Sequence, residues 1–254
     1  MRHLPTIEAL REWRRGITGT AGFVPTMGAL HAGHRALIDR CVAENDHTLV
    51  SIFVNPTQFN DPKDCTTYPQ PKEADLKLCE QSGAGAVFLP QYHALYPDGY
   101  TYRVQEIEKS TVLEGEMRPG HFDGVLTVVM KLLILANATR AYFGEKDWQQ
   151  LQLVKGMARA FFLDTEIVAF PTVREEDGLA LSSRNARLSE SARILAPEFH
   201  RVLSTAVDCA MARAELESLG FDVEYVDERD GRRLGAVQLE GVRLIDNIGH
   251  RTKD

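Results

Sequence analysis

The sequence predicts an α/β protein, a parallel sheet followed by a small mixed C-terminal part. Three observations predict it. The run Thr48-Leu49-Val50-Ser51-Ile52-Phe53-Val54 is mostly apolar and β-branched, as a strand buried on both faces is. Before it, Leu37, Ile38, Cys41 and Val42 recur at helical spacing. Strand, loop, helix and strand in that order form a βαβ unit, whose two strands run parallel.

Residues 6–15 read as a short amphipathic helix with Thr6 as its cap. Residues 21–24 supply a strand end, which Pro25 and Gly28 break. The loop Val24-Pro25-Thr26-Met27-Gly28-Ala29-Leu30-His31-Ala32-Gly33-His34 follows, with a helix expected from about His34. A helix N-terminus offers N–H donors and a positive dipole, which suit a phosphate. His31 and His34 can face one ligand, and Gly28 and Gly33 let a backbone approach it closely. A histidine pair on an ordinary exposed βα loop accounts for the local sequence equally well.

Asn55-Pro56-Thr57-Gln58-Phe59 ends the second strand of that unit, at the edge where open α/β sheets bind ligands. Gln58 carries a donor and an acceptor, so it can read a hydroxyl and a carboxylate together. The alternative is a turn side chain that bonds its own loop. Residues 61–70 are polar turn, 73–82 a helix and 86–89 a strand. Residues 90–102, with Tyr92, Tyr96, Tyr100 and Tyr102 among Pro and Gly, read as an irregular surface excursion and a candidate partner face. Residues 114–124 form a second unusual loop before an apolar helix over 125–138. There Arg118 and His121 face an anion, or Arg118 pairs with Glu114 or Glu116.

Residues 141–143 are a strand, ended by Gly144-Glu145-Lys146-Asp147, and 148–161 a helix. Lys146 at a strand-to-helix junction suits a phosphate, a solvated surface lysine being the plainer reading. After a strand over 165–170 comes Pro171-Thr172-Val173-Arg174-Glu175-Glu176-Asp177-Gly178-Leu179-Ala180-Leu181-Ser182-Ser183-Arg184-Asn185. The Ser182 and Ser183 hydroxyls can donate to pyrophosphate oxygens, and Arg184 can do so bidentately. Otherwise this is a solvated loop, with Ser189 capping the next helix. The domain boundary is drawn here, giving 1–185 and 186–254. Beyond it are one helix over 189–219 and strands at 223–226 and 242–245.

With 254 residues, 44% of them hydrophobic and 26% charged, the composition is that of a soluble globular protein of one or two domains. A net charge of −7 argues against a general nucleic-acid binder, though not against a local cationic pocket. Cys41, Cys65, Cys79 and Cys209 form no C-x-x-C pair, which suggests a reducing compartment. No apolar run suggests a signal peptide or membrane span, so a cytoplasmic protein is expected.

Several separated stretches together closely resemble the pantothenate synthetase (pantoate–β-alanine ligase) family: 24–34, 53–59, 118–124, 144–150 and 181–185, with a weaker echo at 243–247. His31-Ala32-Gly33-His34 is similar to the two-histidine signature of the nucleotidylyltransferase and class I tRNA-synthetase superfamily. Leu181-Ser182-Ser183-Arg184 resembles its second phosphate loop, with arginine where many members have lysine.

The resemblance implies a Rossmann-like domain with a smaller α+β C-terminal lid domain. It also implies formation of pantothenate, AMP and diphosphate from pantoate, β-alanine and ATP, with Mg2+, in a homodimer. By the same resemblance Met27, Gly28, Ala29, Leu30, His31, Ala32, Gly33, His34, Gly144, Glu145, Lys146, Asp147, Val173, Leu181, Ser182, Ser183 and Arg184 hold ATP. Gln58 and Gln150 hold pantoate, Gln58 also lies near the β-alanine position, and Asn55 and Arg118 are counted with them as substrate-binding. His34 takes the active-site histidine position, and His31, Lys146, Ser182, Ser183 and Arg184 join it in stabilising charge. No metal ligand is implied. The C-terminal part departs from the pattern: it reads as shortened around 210–216 and 235–240, which would affect closure of the lid. A nucleotidylyltransferase and a non-catalytic nucleotide-binding module are the rival readings. The glutamine pair favours the ligase over the first, and Lys146 and Arg184 together with that pair favour it over the second.

Overall fold

A computed structural model describes residues 1–249; the last five residues of the expected C-terminal domain lie outside the described residues. The chain divides into two compact units. The first comprises Met1–Glu145 and Gln149–Phe170, the second Lys146–Trp148 and the chain from Pro171 onward. The loop 171–185, which the sequence reading counts with the first domain, packs with the second unit.

The first unit is built on a six-stranded sheet whose ladders are all parallel. Its strands are β1 (Arg2–Leu4), β2 (Ala21–Thr26), β3 (His47–Ile52), β4 (Ala86–Phe88), β5 (Arg140–Gly144) and β6 (Glu166–Phe170), in the order β1-β4-β3-β2-β5-β6. Its helices are α1 (Ile7–Arg15), α2 (Ala32–Glu44), α3 (Pro62–Thr66), α4 (Lys72–Gln81), α5 (Tyr92–Leu95), α6 (Glu114–Met117), α7 (His121–Ala136) and α8 (Trp148–Ala160). Val24, Val50 and Val87 sit side by side across β2, β3 and β4 and bury against Ile38, Cys41 and Cys79 from α2 and α4. The chain leaves β2 toward β3 on one side and leaves β5 toward β6 on the other. The C-terminal ends of β2 and β5 therefore form the reversal point at which such Rossmann-like sheets bind ligands.

Thr6 caps α1 as expected, accepting from Ala9 N at 3.1 Å. Several elements differ from expectation. Strand β1 was hidden by its three-residue length. The helix expected from His34 starts at Ala32, because His31 is itself the cap. The polar stretch 61–70 contains α3, capped by Asp61, whose Oδ1 accepts from Lys63 N. Residues 114–124 hold α6 and the first turn of α7 rather than one loop. In the tyrosine-rich stretch, Tyr92 begins α5, Tyr102 is exposed, and Tyr96 is only 2% exposed, a core residue rather than part of a partner face.

Helix α7 lies close against the one-turn 3-10 helix Pro56–Gln58. A Cβ on Gly124 would stand 2.3 Å from Thr57 O and 2.7 Å from Gln58 N, so glycine sets this approach.

The second unit carries an antiparallel sheet, β7 (Asp222–Arg229), β8 (Arg232–Leu239) and β9 (Val242–Gly249) in that order, and helices α9 (Glu190–Leu195), α10 (Pro197–Thr205) and α11 (Cys209–Ser218). Phe199, Val202, Leu203, Leu216, Phe221, Val237 and Leu244 form its core. The single helix expected over 189–219 is three. Pro197 restarts it at a first-turn position, and Asp208 caps α11 by accepting from Met211 N. Both tight turns, Asp230-Gly231 and Glu240-Gly241, have positive φ throughout, as two-residue hairpins require. The stretches read as shortened form α11 and β8.

Candidate active site

Just past β2 the backbone turns through Gly28 at φ +84° and Ala29 at φ +50°. Thr26 Oγ1 donates to Ser51 O and accepts from Gly28 N, tying the turn to β3. The next two N–H groups donate to one buried carboxylate: Ala29 N to Asp75 Oδ2 at 2.9 Å and Leu30 N to Asp75 Oδ1 at 2.7 Å. Burial pushes the Asp75 carboxyl up, and the bonds from Leu30 and Ala29 oppose that shift. Asp75 is a site residue that the sequence motifs do not include. Its signal was its place four residues before buried Cys79, on the same face of α4.

His31 and His34 then close the start of α2 as a capping box. Gly33 N donates to His31 Nδ1 at 3.2 Å, and His31 N donates to His34 Nδ1 at 3.3 Å. The ring centroids lie 4.2 Å apart. An Nδ1 that accepts carries no proton, so in the neutral ring the proton sits on Nε2. This bonding pattern assigns both rings the same tautomer, with Nε2–H as a donor.

Asn55 is 1% exposed and fully committed within the protein. Its Oδ1 accepts from Thr57 Oγ1 and Tyr96 OH, and its Nδ2 donates to Gly124 O and to Gln58 Oε1. It therefore holds the Gln58 amide. The carbonyl of Gly124 can only accept, which fixes the Asn55 amide and through it the Gln58 amide. Gln58 thus offers Nε2 as a donor, while its oxygen bonds its own loop.

Arg118 realises the pairing alternative. It lies 3.7 Å from Glu114 Oε2 and 3.2 Å from His121 Nε2, and donates to Gln58 O at 3.4 Å. His121 Nδ1 lies 2.8 Å from the same carbonyl. Gln150 is half-buried on α8. Its neighbour Gln149, passed over in the sequence reading, donates to Lys109 O and Val112 O and accepts from Glu114 N, holding the segment that leads into α6.

In the second unit, Lys146, Ser182, Arg184 and Asn185 line a recess with Arg243 and Asp246 of β9; Ser183 and Val173 do not line it. The Lys146 ammonium lies 3.8 Å from Asp147 Oδ1. Ser182 caps the one-turn helix Ser183–Arg187, accepting from Arg184 N, and Val173 O holds Leu181 N. Ser189 caps α9 as expected. Residues 174 and 180 pair across the base of the loop. Arg174 donates to both oxygens of Asp246, at 2.6 and 2.9 Å, and to Gly178 O. Burial pushes the Asp246 carboxyl up, but His200 and the Arg174 guanidinium outweigh it and hold it below the ordinary aspartate range.

The parallel sheet sets the histidine-capped start of α2 at its C-terminal edge, where α/β sheets bind ligands. The family model described as pantoate-beta-alanine ligase matches residues 2–249. The pantothenate synthetase of Bdellovibrio bacteriovorus is 55% identical over 236 residues, 93% of this chain and 94% of that one. That of Coxiella burnetii is 51% identical over 248 residues, 95% of each. The crystal structure of pantoate-beta-alanine ligase from Francisella tularensis, complexed with beta-gamma ATP and beta-alanine, aligns with a TM-score of 0.93 at 38% identity, covering 98% of this chain and 97% of that one. Pantothenate synthetase from Thermus thermophilus aligns with a TM-score of 0.91 at 39% identity, covering 98% and 99%. The chain belongs to the pantoate-beta-alanine ligase family. It spans nearly the whole length of these relatives.

Asp246→Asn removes the charge that Arg174 faces. The folded carboxyl is held low, so its contribution is complete above the ordinary aspartate range and lost as pH falls through the folded value. At pH 7 the variant should be about 3 kcal/mol less stable in urea unfolding, the lower end for a broken buried pair because Arg174 is partly exposed. The difference should close below about pH 4. A gap that stays constant into acid would show that the charge is not what stabilises.

Proposed function

We propose that the chain condenses pantoate with β-alanine, driven by ATP, through a pantoyl adenylate. The observation that carries this is the near-full-length match to ligases of this family, one of them complexed with beta-gamma ATP and beta-alanine. A carboxylate does not form an amide with an amine at neutral pH, because oxide and hydroxide leave poorly. Attack of a pantoate carboxylate oxygen on the α-phosphorus forms the acyl phosphate bond and expels diphosphate. The neutral β-alanine amine then attacks the acyl carbon, loses a proton and expels AMP. The protein's task is alignment and stabilisation of phosphate charge, with no covalent enzyme intermediate.

In this reading the loop from Met27 to His34 receives the nucleotide, His31 and His34 donating through Nε2–H. In the other unit Lys146, Ser182, Ser183 and Arg184 supply charge and hydroxyl donors to phosphate oxygens. Ser182 fits because its cap bond uses a lone pair and leaves its proton. Gln58 Nε2 and Gln150 read pantoate, with Asn55 and Arg118 keeping Gln58 in place. Among the described residues no group of three or more His, Cys, Asp or Glu is arranged to hold a metal. Magnesium belongs to the proposal as the counter-ion of the ATP phosphates. A cytoplasmic homodimer completes the reading; light scattering should give twice the chain mass at micromolar concentration, and a monomer mass throughout that range would remove the dimer from it.

With pantoate and magnesium present and β-alanine absent, labelled diphosphate should exchange into ATP. Pantoate labelled with heavy oxygen in its carboxylate should leave one label in AMP. Exchange that strictly requires β-alanine would reject the two-step order. A nucleotidylyltransferase would release no labelled AMP, and a binding module would catalyse no exchange.

Asn55→Asp tests how pantoate is read. The new carboxylate has only acceptors for Gln58, so the Gln58 amide turns its nitrogen inward and its oxygen outward. KM for pantoate should rise about ten-fold or more, the weight of one hydrogen bond to a charged group, while KM for ATP holds. Equal losses for both substrates, or a folded variant with unchanged pantoate KM, would reject the donor-only role of Gln58.

A further inference from the structure

We propose that the dipeptide Asp246-Asn247 of β9 is a positioning element that holds Lys146 and the Ser182–Arg184 loop in one fixed relation. This rests on the reading that those groups hold the ATP phosphates. Asn247 is 3% exposed. Its Nδ2 donates to Lys146 O at 2.9 Å, across 101 residues of sequence. Its Oδ1 accepts from Arg232 Nε at 3.0 Å, and the Arg232 guanidinium lies 4.1 Å from the Trp148 ring centroid. The segment Lys146–Trp148 is therefore gripped at both ends, by β9 directly and by β8 through Arg232.

Asp246 grips the other phosphate element. Its carboxylate takes both terminal nitrogens of Arg174, whose Nη1 also donates to Gly178 O. That closes the bend whose ends, Arg174 and Ala180, pair with each other just before Leu181-Ser182. Asn247 N donates to Asp246 Oδ1 at 2.7 Å, and Arg174 Nη2 reaches Asn247 O at 3.4 Å, so the two grips brace one another. Successive residues of a strand point to opposite faces, which lets neighbours hold two different segments. The lysine main chain and the stem of the serine–arginine loop are thereby referenced to two Cα atoms one peptide apart. Neither side chain is asked to touch a reacting atom. Their effect is to remove the freedom of the groups that do, and a small misplacement of such groups is costly to rate.

The test uses the full chain, with diphosphate–ATP exchange in the presence of pantoate and magnesium as readout. Lys146→Ala should lower exchange about a hundred-fold or more. Asn247→Ala should lower it by up to about a hundred-fold, with pantoate KM unchanged. Asn247→Asp keeps the acceptor for Arg232 and deletes the donor to Lys146 O, so it should reproduce that loss. Combined with Lys146→Ala, either change should add little, because a group that acts through the lysine has nothing left to position. A merely structural residue would lower exchange by the same factor in both backgrounds. Multiplying losses, or unchanged exchange in folded Asn247 variants, would overturn the proposal. So would failure of both variants to fold, which would make the residue a folding element. Full exchange by Lys146→Ala alone would instead overturn the assignment of Lys146 to the phosphates.

Discussion

The candidate site depends first on one buried carboxylate. Asp75 is 2% exposed and receives two consecutive backbone N–H groups from the turn after β2. Each charge-assisted bond of this kind is worth about 1.5–3 kcal/mol, and a buried carboxylate without them would be strongly penalised. The two requirements meet in one geometry. The turn must present Ala29 N and Leu30 N together, which carries Gly28 and Ala29 into positive φ. A Cβ on Gly28 would stand 2.9 Å from Asp75 Oδ2 and 3.1 Å from a methyl of Ile52, so the first of those positions has room only for glycine. From there the chain reaches His31 aimed to cap α2.

Both units use this device, with opposite electrostatics. Asp75 is satisfied by neutral amides, which do not overcome its desolvation, and its carboxyl is pushed up. Asp246 is also buried but faces His200 and the Arg174 guanidinium, and its carboxyl is pulled down. The difference follows from the donors: an arginine adds net charge as well as hydrogen bonds, whereas peptide N–H groups add only dipoles. Each carboxylate steers a backbone turn just before a stretch that the proposed function assigns to the ATP phosphates, and neither is itself assigned to them.

Much of the first unit was legible because its signals are local. Buried parallel strands are short apolar runs, Thr6 announces α1, and the loops with unusual residues fall at strand ends. The family resemblance lay in motifs of adjacent residues such as His31-Ala32-Gly33-His34. What escaped depends on contacts distant in sequence. Asp75 reaches back 45 residues to Leu30, Asn247 reaches 101 to Lys146, and neither sequence neighbourhood hints at its partner. Gln58 looked two-faced in isolation, and only Gly124 O, through Asn55, decides which face it shows. Tyr96 looked like surface among Pro and Gly, but its hydroxyl is needed at Asn55 Oδ1. One miss was local. Asp230-Gly231 is a strong hairpin signal, and it stood unread because Arg232, Arg233 and Gly235 disguised the apolar alternation of β8. Gly235 is there because a Cβ would stand 3.0 Å from the Phe199 ring.

The histidine pair joins folding to chemistry at the level of single nitrogen atoms. An aspartate would cap α2 through an oxygen and leave no further side-chain donor at the start of the helix. Imidazole has two nitrogens, and using one as the cap acceptor assigns the proton to the other. The cap works only with the neutral ring, since a protonated Nδ1 could no longer accept from Gly33 N or His31 N. The same bonds that begin the helix therefore select the tautomer that donates through Nε2, beside a helix N-terminus whose dipole already favours an anion. Substituting either ring by a good capping residue would preserve α2 while removing its Nε2–H. The loop can thus lose this donor chemistry without losing its fold, and that separation distinguishes a histidine kept for its second nitrogen from one kept as a cap.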